Sequence, residues 1–412
     1  MPRPILFAFF IVTLDAMGAG LIFPVLPQLL SQVFSAQLGK EIAPNSNLVT
    51  NYGGVLSFVF AAMMFLFGPI IGSLSDRFGR QRIILFAMVA LVIDYIIMAL
   101  TPFFWVLFVG RIVAGIAGGS YTTAFAIAAD VGDEKTRPGY FGFISAGLGL
   151  GFIIGPMIGG FVGEMDPRLP FWIAAGLSVF AAILCVTYYQ ETLGEDARRA
   201  FSWAESNALS IIDKVRRNRA IRAFLIAIFV FSVGETIYET IWHFYGIKAF
   251  GWEPLDISIS LVVFGAGMAA VQGGLSGPVI NRFGALRTSL VAMALSCVGL
   301  AGMTFVTATW QVYALMPLMW VSGLSLPGIQ TYLSERTDES RQGELQGILA
   351  SIGAAALILA PVYGTRTLAL ATPDDSSLFF PGAPFGVACL ICLVAWYLMW
   401  RAAKSATKAP TA

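Results

Sequence analysis

The chain has 412 residues, of which 57% are hydrophobic and 12% charged, with a formal net charge of +1. An average soluble protein carries roughly 25% charged residues, so a chain this long and this apolar takes lipid as its solvent. A near-neutral balance gives no basis for a nucleic-acid partner, and the four cysteines, all inside apolar runs, argue against a disulfide framework.

A membrane-crossing helix needs about 20 mostly apolar residues. In chain order, twelve runs reach that length: 5–29, 51–74, 83–101, 103–127, 139–163, 170–189, 222–245, 257–280, 288–306, 310–333, 343–367 and 379–400. The first run carries Asp15, Pro24 and Pro27 and no small-x-small cleavage site, so it reads as a retained helix, not a signal peptide. No lipid-anchor motif is expected at the C-terminus. The longest polar stretch, Gln190 to Ile221, divides six spans from six. The expected organisation is an N-terminal six-helix bundle over 1–189, a central loop over 190–221, a second bundle over 222–400 and a tail over 401–412.

The cations test this map. Arg3, the loop with Arg77, Arg80 and Arg82, then Lys135 and Arg137, seven residues from Arg198 to Arg222, Arg282, Arg287, Arg336, Arg341, Arg401, Lys404 and Lys408 all fall on one side. Only Lys40, Arg168, Lys248 and Arg366 fall on the other, and Arg111 lies inside a span. Loops rich in Lys and Arg stay cytoplasmic, which predicts a multi-pass inner (plasma) membrane protein with both termini and the central loop in the cytoplasm.

The halves repeat. Gly72 to Arg82 reads GSLSDRFGRQR, and Gly277 to Arg287 reads GPVINRFGALR. The same offset maps Gly142 onto Gly347, Pro156 onto Pro361 and Asp130 onto Glu335. One spacing serving separated segments points to duplication of a six-helix unit. Transporters commonly carry such repeats, with the substrate bound between them. A channel lacks support, since no filter-like loop or ring of repeated acids is present. An enzyme is not expected, because there is no H-E-x-x-H and no readable pair of catalytic acids. The Cys389-x-x-Cys392 spacing has no second ligand pair beside it, so neither metal nor cofactor is expected.

Five charged residues sit inside spans: Asp15, Asp94, Arg111, Glu235 and Glu239. Each costs roughly 2.5–3.5 kcal/mol at a helix centre on insertion scales, so they should pair or face a cavity. At 1.5 Å per residue, Asp15 lies roughly 15 Å and Arg111 roughly 12 Å from the nearer helix end. Glu235 and Glu239, four apart, share one face of a continuous helix, and His243 extends it. A carboxylate that meets a dry cavity and an arginine by turns changes its proton affinity, as proton coupling requires. Asp15 and Asp94 are therefore candidate coupling or substrate-cation sites, with Arg111 tuning one of them. The alternative is helix–helix hydrogen bonding alone. At the cytoplasmic loop, Gly72 and Gly79 suit close approach and a sharp turn, and Asp76, Arg77, Arg80 and Arg82 suit a charge latch, or simply a topogenic loop. Gly147, Gly149, Gly151, Gly155, Gly159 and Gly160 surround Pro156 in the fifth span, which predicts close packing with a hinge or a seal. Phe58, Tyr121, Tyr238 and Met268 are candidates to line an apolar cavity.

These segments resemble the major facilitator superfamily. GSLSDRFGRQR is similar to its signature loop, GRIVAGIAGGS (Gly110 to Ser120) to its fourth-span motif, and GLGLGFIIGPMIGG (Gly147 to Gly160) to the fifth-span motif of proton-driven drug exporters. LDAMGAGLIFPVLPQLL (Leu14 to Leu30), IDY (Ile93 to Tyr95) and FGW (Phe250 to Trp252) resemble the tetracycline-efflux branch of its twelve-helix drug/proton antiporters. The resemblance implies an all-α fold of two pseudo-symmetric six-helix bundles. It also implies a gate at Gly72, Asp76, Arg77, Gly79, Arg80 and Asp130, and an antiporter-motif helix at Gly151, Gly155, Pro156, Gly159 and Gly160. This chain departs from the branch where the eighth span has Met268 in place of a histidine, although Gln272 is kept. It departs again where the ninth span has Ser296 and Cys297 in place of an aspartate. Glu235 is a candidate replacement for that acid. The expected function is proton-coupled efflux of a hydrophobic or amphipathic small molecule, such as a tetracycline-like drug, by a monomer in the lipid bilayer. A proton symporter or facilitator importing a nutrient, and a non-transporting receptor, stay open as alternatives.

Overall fold

The computed structural model describes all residues except 119, 134–135, 199–200, 202, 204–205, 219–220, 338–341, 375–378 and 409–412, and the side chains of 120, 121, 138, 197, 343, 344 and 406–408. Tyr121 therefore lies outside the described side chains. The described residues are helical, with 12 helices long and apolar enough to cross a membrane. Most run longer than the hydropathy runs. The second span, Asn47–Phe78, has 32 residues, about 48 Å at 1.5 Å per residue, against a hydrocarbon core of about 30 Å. Ser46 starts it by accepting the Val49 N–H at 3.4 Å.

Four spans are broken in mid-course, and they are the first, fourth, seventh and tenth. The first runs Arg3–Ile22 and resumes at Leu26–Leu38; Pro24 and Pro27 remove two backbone donors there. The fourth breaks after Phe104–Ala117, at Gly118. The seventh divides at Thr236 into Arg222–Glu235 and Ile237–Phe250. Thr236 turns its hydroxyl back onto the Ser232 carbonyl at 2.8 Å, a bond that competes with the helix ladder. The tenth divides at Gly323 and Leu324, whose N–H groups bond three residues back, to Trp320 and Val321. A mid-course break in the first helix of each group of three fits a three-helix unit repeated four times. The eighth span carries a different irregularity, a π-helical turn over Val271–Leu275.

The backbone keeps the duplication where side chains have diverged. Among the described residues, positive φ occurs at Gly39, Gly79, Gly251 and Gly284. Gly39 (φ 63, ψ 23) ends the first span and Gly251 (φ 69, ψ 28) ends the seventh. Gly79 (φ 96, ψ 157) and Gly284 (φ 85, ψ 146) turn the chain between the second and third and between the eighth and ninth. Residues with a Cβ rarely tolerate these conformations.

The chain forms two compact units, one of Met1–Ala208 with Trp252–Val262, the other of Leu209–Gly251 with Val263–Ala412. In the first, span one packs on five and six, and span three on four and six. In the second, span seven packs on eleven and twelve, and span nine on ten and twelve, the same pairs moved on by six. The tightest seam joins spans one and five. Gly147, Gly151, Gly155 and Gly159 recur every four residues, so they line one edge of the fifth span. A Cβ on Gly151, Gly155 or Gly159 would collide with backbone atoms of residues between Thr13 and Leu21, and one on Gly147 would press on the Thr13 and Phe9 side chains. Gly20 answers from the other side, against the Pro156 ring.

Candidate functional site: ionisable clusters within and below the spans

Asp94 lies on the third span and Arg111 on the fourth, and the structure brings them together. Arg111 Nη2 contacts Asp94 Oδ2 in an ion pair, and its Nε donates to Asp94 Oδ1 at 3.3 Å. The Asp94 side chain has 0% exposure and that of Arg111 12%. Gly110 permits this, because a Cβ there would strike Asp94 Oδ1. The other face of the guanidinium lies over Phe60 of the second span, 5.5 Å from the ring centroid, where a cation gains from the ring quadrupole. An ion pair out of water is held by attraction that costs much to break.

Asp15 is half-buried on the first span. One turn along, the Tyr95 hydroxyl fills the space that a side chain on Gly18 would need, so Tyr95 and Asp15 meet the same face of that helix. Tyr95 follows Asp94 directly, and the third span thus serves both acids.

In the second unit, Glu235 is the last helical residue before the seventh span breaks. Its Oε1 accepts the Ser296 hydroxyl from the ninth span. The uninterrupted helix that would set Glu235 and Glu239 on one face does not form, because Thr236 ends the first segment between them. Glu239 is exposed and His243 buried. Gln272, in the π-helical turn, is exposed and donates its amide to the Gly323 carbonyl at 3.3 Å. Two irregularities, on spans eight and ten, are thereby joined. Met268 packs at Gly323 and the Trp320 ring lies over Gly267. Of the expected cavity-lining residues, Phe58 is exposed, whereas Tyr238 is buried among aromatic rings, 5.5 Å from Phe385.

The loop between spans two and three does hold a charge cluster. Arg80 Nε donates to Asp130 Oδ2 at 2.9 Å and Nη2 to Oδ1 at 3.3 Å, while Nη1 reaches Asp76 Oδ1 at 2.6 Å and Ser75 Oγ at 3.0 Å. Such two-pronged pairing suits the planar guanidinium. Arg77 and Arg82 stay outside it, exposed, with Arg77 lying over its neighbour Phe78. Gly79 makes the expected turn. Gly72 does not make the expected close approach: no described heavy atom comes within 4 Å of where its Cβ would stand, because that side of the helix faces open space.

Sequence reasoning missed Glu191. Its carboxylate accepts the Arg80 and Gln81 N–H groups at 3.0 and 3.1 Å, capping the third span at its positive end. Thr192 donates to Asp130 at 3.3 Å, so the stretch after the sixth span closes over the cluster. The repeated loop lacks this construction. Ala285 stands where Arg80 would, and Glu335 pairs with its neighbour Arg336 at 3.8 Å. Among the described residues no three His, Cys, Asp or Glu side chains gather to hold a metal.

Duplicated six-span units, paired charges inside spans and interrupted helices define a membrane transporter, not an enzyme. The chain belongs to the Major Facilitator Superfamily, whose family model matches residues 8–361 and 247–412. It is 34% identical over 384 residues to the tetracycline resistance protein, class C, of Escherichia coli, covering 93% of this chain and 94% of that one. It is 32% identical to the class H protein of Pasteurella multocida over 88% of each chain. The quinolone resistance protein NorA of Staphylococcus aureus is 25% identical over 88% of this chain and 89% of its own. Among solved structures, the human organic anion transporter MFSD10 aligns with a TM-score of 0.73 at 21% identity, over 97% of this chain and 100% of that one. A bacterial homolog of the lysosomal transporter Spinster aligns with a TM-score of 0.75 at 15% identity over the whole of both chains. These two share the fold.

Proposed function

We propose that the chain exports an amphipathic, tetracycline-like small molecule across a bacterial inner membrane in exchange for protons, as a monomer with both termini in the cytoplasm. The observation that carries this reading is the Asp94–Arg111 pair. A carboxylate without exposure, held by an arginine inside the spans, is costly to keep unless it is used. Support for the substrate class comes from the resistance proteins, which align along nearly the full length.

In this reading Asp15 and Asp94 take up and release the proton or bind a cationic part of the substrate, and Arg111 sets when Asp94 lets go. Glu235, steadied by Ser296, stands in for the acid missing from the ninth span, with Glu239 beside the break. Gln272 contacts substrate. Asp76, Arg80 and Asp130 form the cytoplasmic gate around the Gly79 turn, with Gly72 and the exposed Arg77 in the same loop. The close seam of Gly151, Gly155, Pro156, Gly159 and Gly160 keeps the protein from leaking protons. One proton moving down about 100 mV supplies roughly 2.3 kcal/mol, enough to hold a drug gradient of about fiftyfold at one-to-one exchange.

The test uses inside-out vesicles acidified by respiration. Tetracycline added outside should dissipate the pH gradient in vesicles carrying the wild type and not in those carrying Asp15→Asn. An equal response in both removes Asp15 from the mechanism. No response in either, with no change in the drug susceptibility of a pump-deficient host, overturns the substrate assignment.

A further inference from the structure

Among the described residues, the polar stretch between spans six and seven contains an α-helix that transport does not use. Ser210–Arg217 forms a two-turn helix, and four residues later the seventh span begins at Arg222. Ile211 and Val215 are half-buried and lie four apart, so they share a face. The helix packs against spans seven and eleven. Leu209, Ile212 and Arg216 are left exposed at spacings of three and four, which makes one stripe. The acid Asp213 and Arg217 are exposed along the edge of this stripe, and Lys214 is exposed on the side away from it. From Lys214 to Arg222 the sequence carries five cations and no acid.

We infer that this helix is a binding site for anionic phospholipid headgroups of the membrane that the chain spans. Its tether to the seventh span is short, five Cα steps that reach about 18 Å at most when extended, so the helix stays close to the membrane surface. Leu209 and Ile212 suit the boundary with the acyl chains, and Arg216 between them extends its charge to the phosphate level. Arginine matches phosphate oxygens with its forked donors. Trp203, 73% exposed just upstream, is of the type that settles at membrane interfaces. A loop that served only to orient the chain during insertion needs cations in number, but not an apolar stripe in register with an arginine. The inference holds for either orientation of the chain.

The test is native mass spectrometry of the full-length protein in detergent, titrated with dioleoyl phosphatidylglycerol or dioleoyl phosphatidylcholine. Two triple variants are compared with the wild type: Lys214→Gln/Arg216→Gln/Arg217→Gln, and a charge-matched control, Arg3→Gln/Arg401→Gln/Lys404→Gln. The wild type and the control should prefer phosphatidylglycerol. The helix variant should bind it on the order of a hundredfold more weakly, at roughly fivefold per cation removed. No preference in the wild type, full affinity in the helix variant, or an equal loss in the control overturns the site. Should the helix variant fail to fold, Arg216→Gln alone replaces it and should weaken phosphatidylglycerol binding roughly fivefold; unchanged affinity overturns the site.

Discussion

Ser296, on the ninth span, donates its hydroxyl to the carboxylate of Glu235 at the break in the seventh. The seventh-span acid is thus tied to the helix on which the tetracycline-efflux branch typically places its own. If the acid works here, the hydroxyl positions it. Ser296→Ala should leave the carboxylate short of a donor, at a cost of about 1–3 kcal/mol, and slow drug-driven proton release in vesicles. Ser296→Thr should restore the rate. Glu235→Gln should abolish proton release while the protein still folds. If Ser296→Ala and Ser296→Thr behave alike, the hydrogen bond has no part in coupling.

The Asp94–Arg111 pair makes a stability prediction. Removing one partner of a buried pair costs about 3–5 kcal/mol, because the other charge stays behind unpaired. Arg111→Gln should therefore lower the thermal unfolding midpoint in detergent sharply, and Asp94→Asn added to it should recover much of the loss. Additive losses in the double variant would mean that the two side chains are not coupled. Export should fail in Asp94→Asn alone, in Arg111→Gln alone and in the double variant.

At the loop between spans two and three, position matters more than charge. Arg80→Gln should slow export and loosen the loop to proteolysis, since four acceptor contacts go with it. Arg82→Gln removes the same charge from an exposed site and should change export by less than twofold, within the ±0.5 kcal/mol typical of surface positions. Glu191→Gln should resemble Arg80→Gln more weakly. Initial rates in vesicles, compared at equal expression, decide the order.

In the fifth span, Gly155→Leu and Gly151→Leu should be poorly folded or leaky to protons. The first span's backbone lies where the new side chain must go, and overpacking costs about 1–3 kcal/mol or more. Gly149→Ala is the contrast, with no described atom within 4 Å of its Cβ, and it should behave as wild type. Passive proton leak in vesicles, with folding followed by size-exclusion profile, tests both.

The spans were legible because lipid imposes one requirement on twenty residues at a time, and the mean of a window survives local irregularity. The breaks were less so. Pro24 and Pro27 announce the first, but the seventh span breaks at Thr236, a residue type common in continuous helices. The Arg80 cluster could be read in part, since acids and arginines stood close in sequence. Glu191 could not, because it binds backbone N–H groups, and these carry no residue-type signal. Its one clue is an acid just past the sixth span, opposite a helix start. Which of Asp15 and Asp94 Arg111 would serve was open, as pairing across helices depends on their rotation, which apolar runs of low amphipathicity leave undefined.

Gly284 already bends the second loop as Gly79 bends the first, while Ala285 and Asn281 leave it without the charges. The turn for a second such charge cluster is thus in place and only its side chains are absent. Asn281→Asp with Ala285→Arg asks for no new turn, so descendants of this duplication can strengthen or relax one end of the molecule by exchanging side chains on an inherited frame.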